Sequence, residues 1–136
     1  MFLWSFEHSA ETTAPAEAVW ALYADVPGWV RWDTGLERAE LHGPFAAGSE
    51  IVMTPQGQDE VRARIIRADE NDTFADETLF GEVVLRFTHT LEPFAGGTRV
   101  THRLEVTGPG AGEIGPAVAA DLPDAVAALV ELAEAA

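Results

Sequence analysis

Between Leu36 and Gly108 the chain alternates apolar and polar residues with a period of two, and this pattern limits the fold more than any other feature. It is clearest in the last two segments. Over 83–92, Leu85, Phe87, His89 and Leu91 share one side, and Arg86, Thr88, Thr90 and Glu92 the other. Over 98–107, Val100, His102, Leu104 and Val106 oppose Thr101, Arg103, Glu105 and Thr107. Successive side chains of a strand point to opposite faces, so both segments predict strands that are apolar on one side only. Pro93 to Gly97 predicts the hairpin loop between them. Earlier strands are expected near 36–42, 49–54, 60–69 and 73–80, separated by Gly43-Pro44, Pro55-Gln56-Gly57 and Asn71-Asp72. A sheet with one wet face is antiparallel and needs a cover for the other.

The ends of the chain supply the remaining strand and the cover. Phe2, Trp4, Phe6 and His8 alternate with smaller or polar residues, which predicts a half-buried first strand. Thr12 to Glu17 reads as a helix start, with Thr13 or Ala14 at the cap and Pro15 in the first turn. Val19, Leu22, Tyr23 and Val26 follow helical spacing until Pro27-Gly28, and Trp29 to Asp33 leaves room for one more turn. After a glycine-rich loop, Gly108 to Gly115, an apolar stripe of Val118, Leu122, Val126, Leu129 and Ala133 predicts a helix over about 116–135. Pro123 inside it must kink the helix or restart it after an Asp121 cap. As the only long amphipathic element, this helix is expected to lie across the sheet. The reading is one α+β domain over residues 1–136, with seven antiparallel strands and two short helices after the first strand.

Charge excludes whole classes of partner. Twenty-three acidic residues face eight basic ones, all arginine, for a net charge of −15. Such a surface repels phosphate backbones and anionic headgroups, so neither nucleic-acid binding nor membrane insertion is expected. Arg62, Arg64 and Arg67 are the only local basic cluster, and Asp59, Glu60, Asp69 and Glu70 flank them. No apolar run approaches the ~20 residues that span a bilayer. Met1 to Ser9 lacks the basic start of a signal peptide. There is no cysteine, hence no disulfide, thiolate chemistry or Cys–zinc site, and a cytoplasmic monomer or homodimer is expected. No serine triad, phosphate loop or nucleotide fingerprint is present.

The order of elements resembles the START/Bet v1-like superfamily, the polyketide cyclase/dehydrase and lipid-transport group. The resemblance covers essentially the whole chain. It is carried by Ala14-Pro15-Ala16-Glu17-Ala18-Val19-Trp20, Trp29-Val30-Arg31-Trp32-Asp33, Gly96-Gly97-Thr98-Arg99-Val100-Thr101 and Leu122-Pro123. It implies a helix-grip fold, a sheet bent around the C-terminal helix with a pocket between them. The group includes lipid carriers, hormone receptors, aromatases and cyclases, and chaperone activators, so the fold alone does not name an activity. The short glycine loop before the last helix departs from the family and implies a smaller or more open pocket.

The candidate pocket follows from the same faces. Ala119, Ala120, Ala125, Ala127 and Ala128 give the covering helix little volume, which leaves space above Phe74 or Ala75, Phe80, Phe87, Leu104, Leu122 and Val126. Alternation turns His89 and His102 inward, and a hairpin centred on Ala95-Gly96 makes them cross-strand neighbours. His8 shares the large-residue face of the first strand, so three histidines are able to converge. Their possible roles are a polar anchor for a ligand, an acid–base group, a metal site, or core histidines satisfied by one another. Pocket lining without a metal is the preferred reading, and no cofactor is expected. Trp32 and Asp33 are expected at the pocket mouth. Asp76 shares the inward parity of Phe74 and Phe80, where a solvated edge is preferred over a catalytic carboxylate. The expected function is binding of a small hydrophobic or aromatic molecule, lipid- or polyketide-like. The alternatives are a cyclase/dehydratase using an inward histidine as acid–base, and a chaperone-activator-like interaction protein with a filled core.

Overall fold

A computed structural model describes residues 3–135. These residues form β1 (Leu3–Thr12), α1 (Ala16–Ala24), a 3-10 helix (Val26–Arg31), β2 (Leu36–His42), β3 (Glu50–Pro55), β4 (Val61–Asp69), β5 (Thr73–Phe80), β6 (Val83–Phe94), β7 (Gly97–Thr107), α2 (Ala111–Ala119) and α3 (Leu122–Ala135). Phe2, assigned to the first strand by its alternation, lies outside the described residues.

The seven strands form one antiparallel sheet in the order β1-β7-β6-β5-β4-β3-β2. The chain thus brings its first and last strands together. The β6–β7 hairpin has the expected register: Glu92 faces Arg99 and His89 faces His102, with Phe94 opposite Gly97 at the turn. Gly97 has a φ of +148°, and a Cβ there would collide with the Thr12 carbonyl oxygen. Only glycine lets this turn lie against the end of β1. The pairing shifts register between Leu36 and Arg38 and between Ile65 and Arg67. Such irregularities bend and twist a sheet.

The inner face carries two clusters of buried apolar residues. The first joins Tyr23, Val26, Trp29 and Trp32 to Ile51, Ile65, Phe74 and Leu129. The second joins Leu85, Leu104 and Val106 to Ala111, Leu122 and Val126. Both helices of the C-terminal segment pack on β1 and β7, α1 packs on α3 and β6, and the 3-10 helix packs on β2.

The cover departs from the start expected for a helix over 116–135 and takes the restart at Asp121 that Pro123 allowed. It starts earlier, at Ala111, and is two helices separated at Ala120-Asp121. Pro123 explains the break: it has no N–H to continue α2, yet is tolerated in the first turn of a new helix. The Asp121 carbonyl accepts the Ala125 N–H at 3.0 Å, which starts α3 from the residue expected to cap it. The inner stripe of α3 is Leu122, Val126, Leu129 and Ala133, all buried. Val118 belongs to α2, and its place in that stripe is corrected: it is 40% exposed and borders the open space beside α2 instead of packing on the sheet with α3. At the other end, Pro15 is itself the N-cap of α1, where Thr13 or Ala14 was expected. α2 lies close to β1 because Gly115 has no side chain; a Cβ there would enter the Trp4 ring.

Candidate functional site

The space between α2, α3, the 3-10 segment and the middle of the sheet is not filled. A cavity of about 400 Å³ remains. Its aromatic walls are Trp29, Trp32 and Phe87, and Leu122 and Ala125 close it from α3. His89, His102 and Asp76 form its polar floor on the sheet, while Asp33, Gln58 and Asp121 contribute polar groups elsewhere on its lining. The alanine at 125 leaves this space because a methyl group cannot reach across to the sheet.

Of the residues singled out from sequence, Trp32, Asp76, Phe87, His89, His102 and Leu122 stand in the cavity wall. The other four do not. Phe74 is fully buried beneath it, stacked on His89 with ring centres 4.6 Å apart and packed against Phe45 at 4.9 Å. Leu104 and Val126 are fully buried in the second apolar cluster and leave no surface for a ligand. Phe80 has the inward parity assigned to it but sits at the β5–β6 turn, 60% exposed. Alternation gives the face of a residue, not whether the cover extends that far. Ala75, weighed as an alternative to Phe74, is buried on the opposite parity.

The histidines are fixed by partners that the sequence did not reveal. Tyr23, fully buried on α1, shares a 2.8 Å hydrogen bond between its hydroxyl and His102 Nε2. His89 donates from Nδ1 to the Phe74 carbonyl at 2.9 Å. A carbonyl only accepts, so the proton sits on Nδ1 and Nε2 of neutral His89 is a bare acceptor. The two imidazoles meet edge to face, 4.5 Å between centres. Burial pushes His89 down to about 4, against a smaller upward pull from the Phe74 carbonyl. His102 is held well below its ordinary value by burial first, then by His89 and His8. Both rings are therefore neutral at pH 7. His8 faces His102 across β1 and β7. Among the described residues, no group of three or more His, Asp or Glu is placed to hold a metal ion.

Asp76 is corrected from a solvated edge to the interior. It is 4% exposed, between Ile65 on β4 and Phe87 on β6, and its Oδ1 has no hydrogen-bond partner. Burial, helped by the neighbouring Glu77, raises its carboxyl to about 7. Among the described residues, Trp32 Nε1 is the other buried side-chain polar atom without a partner. The adjacent Trp29 is different, since its indole donates to the Tyr23 carbonyl at 2.9 Å. Asp33 also stands in the cavity wall, where its Oδ1 accepts the Gly35 N–H at 3.2 Å. Burial raises its carboxyl, the Gly35 bond works against this, and the Asp121 charge adds to the rise.

A curved antiparallel sheet covered by helices, with an open-sided cavity between them and neutral histidines on the cavity floor, defines a helix-grip protein. The chain belongs to the polyketide cyclase/dehydrase and lipid transport family, whose model matches residues 4–134. Among solved structures, the Zhui aromatase/cyclase from Streptomyces sp. R1128 is similar with a TM-score of 0.80 at 18% identity, over 98% of this chain and 94% of that one. Ara h 8.0201 is similar with a TM-score of 0.76 at 14% identity, over 99% and 100%. A Thalictrum norcoclaurine synthase mutant in complex with a transition-state analogue gives 0.74 at 16%, over 97% and 94%. At these identities the likeness shows the fold alone. No protein with a curated functional description matches the sequence.

Proposed function

We propose that this protein binds a small, mainly aromatic or otherwise apolar molecule in the cavity between sheet and helices. One observation carries the reading. Two buried polar atoms without partners, Trp32 Nε1 and Asp76 Oδ1, belong to residues of the cavity wall. An unpaired buried polar group costs about 1–3 kcal/mol, and a ligand that pairs with it recovers that cost on binding. A ring system would be held by Trp29, Trp32 and Phe87, while an oxygen on it accepts from Trp32 Nε1.

The alternatives draw less support. A filled-core interaction protein does not account for about 400 Å³ of unfilled space. Acid–base catalysis works best with a group that titrates near the operating pH, but burial holds both histidines well below their ordinary value, and His89 is bonded to a carbonyl and His102 to a phenol. A weakly basic, neutral imidazole serves a ligand better as a hydrogen-bonding group than as a base.

The test is calorimetric titration with hydroxylated two- and three-ring aromatics, beginning with 2-naphthol. The expected result is saturable 1:1 binding with a Kd on the order of 10–100 μM for ligands of this size. His89→Phe or His102→Phe should weaken it by ~0.5–1.5 kcal/mol while the domain stays folded. No saturable binding across the set would overturn the proposal.

A further inference from the structure

The charge around the cavity is one-sided. Three carboxyl groups line it, from Asp33, Asp76 and Asp121, and among the described residues no arginine does. Four of the arginines are paired on exposed surfaces away from it: Arg86 with Glu77, Arg99 with Glu11, Arg103 with Glu7 and Arg62 with Glu50. The sequence has no lysine. Among the described residues no cationic side chain thus lines the cavity to neutralise a fatty-acid carboxylate, a phosphate or another anionic head.

Two of the carboxylates act together. A Cβ built on Gly35 would lie 3.2 Å from Asp121 Oδ2 and 3.3 Å from Asp33 Oδ1. The two side chains therefore converge over the bare backbone of Gly35, with no base between them. Deeper in the wall, Asp76 is 4% exposed and its Oδ1 is unpartnered. Trp32 and Phe87 stand beside it in the same cavity, and aromatic faces attract cations.

We infer that the ligand is a cation, an amine carried on an aromatic or apolar body, with its ammonium on Asp76 and its path lined by Asp33 and Asp121. The inference rests on the reading of the cavity as a binding site and adds the ligand's charge class. An ammonium brings a full opposite charge to the orphaned carboxyl as well as hydrogen-bond donors, whereas an alcohol brings a donor without charge and a carboxylate is repelled. An incoming cation also draws the Asp76 proton off, because the carboxyl already ionises near neutrality. The paired carboxylates at Gly35 add a negative field that favours cation entry and weakens with salt.

Three isosteric probes test this on the whole protein at about pH 7.5: 2-(2-naphthyl)ethylamine, 2-(2-naphthyl)ethanol and 2-naphthylacetate. Calorimetry should give the amine an affinity at least about tenfold above the alcohol, and the acetate the weakest binding of the three. Asp76→Asn should still bind the alcohol saturably at 1:1, which shows the cavity present, while the amine loses far more affinity than the alcohol and its preference falls to within about threefold. Asp33→Asn should leave a preference for the amine but reduce its dependence on salt. If the alcohol or the acetate binds as tightly as the amine, the cation inference is overturned and the binding site stands. If Asp76→Asn keeps the full preference, the assignment to Asp76 is overturned. If no probe binds, the binding site itself is refuted.

Discussion

Removing the Tyr23 hydroxyl isolates the contact that ties the first helix to the cavity floor. Tyr23 is fully buried, and its hydroxyl is 2.8 Å from His102 Nε2. Its ring packs against Trp20, Trp32, Phe74 and both histidines at centre distances of 5.3–6.3 Å, contacts that phenylalanine keeps. Tyr23→Phe therefore deletes one hydrogen bond and leaves His102, 4% exposed, without its partner. The bond itself is worth roughly 0.5–1.5 kcal/mol, and the stranded imidazole takes the loss to ~1–3 kcal/mol. The double change Tyr23→Phe with His102→Phe removes both polar ends. It should be less destabilising than the sum of the single changes by ~1–2 kcal/mol. Urea unfolding at pH 7 measures all four proteins, and an unchanged denaturant slope shows that the denatured state is comparable. A Tyr23→Phe protein within ~0.3 kcal/mol of the parent, or a cycle that adds with no coupling, would refute the claim that this bond is buried and formed.

Other perturbations address the rest of the account. Leu129→Ala should cost ~2–5 kcal/mol, because Leu129 is fully buried, while Val118→Ser should stay within ~0.5 kcal/mol at 40% exposure. Equal losses in thermal unfolding would mean the two helices are wrongly oriented. Stability against pH should show two opposed effects. Asp76, raised to about 7, contributes stability that is full at low pH and is lost as pH rises through 7. His89, lowered from 6.5 to about 4, and His102, held well below its ordinary value by burial, act the other way: their contribution is full above 6.5 and is lost as pH falls. Asp76→Asn should thus gain stability over the parent at alkaline pH and lose it more steeply between 6.5 and 4; parallel curves would contradict this. A gel shift with duplex DNA at low micromolar protein should show no salt-resistant complex, given a net charge of −15.

The sequence was most legible where periodicity and a short hairpin act together. Alternation over 83–107 and a turn at Ala95-Gly96 are enough to place His89 beside His102, because register in a tight hairpin follows from the turn. The same rule names the right face for Phe80 yet says nothing of cover, and Phe80 lies where the helices do not reach. Asp76 illustrates the converse. Its parity was readable, but its burial depends on β4 and β6 flanking it and on helices remote in sequence closing the far side. Tyr23 was visible only as a helical-face residue, since its bond to His102 spans 79 positions. Asp121 appeared only as a cap for the last helix; its place beside Asp33 follows from the break at Pro123 and the absence of a side chain at Gly35.

The most direct measurement is of the indole N–H signals in a ¹H–¹⁵N spectrum during titration with 2-naphthol, assigned by single Trp→Phe variants. The four tryptophans divide by position: Trp29 and Trp32 line the cavity, whereas Trp4 packs against Gly115 and Trp20 against Phe45. Trp32 Nε1 is the buried donor without a partner, so its signal should move furthest and downfield as it gains an acceptor. Trp4 and Trp20 should stay nearly still. The largest shift at Trp4 or Trp20, or saturation of the probe with no movement at Trp32, would contradict the cavity as the place of binding.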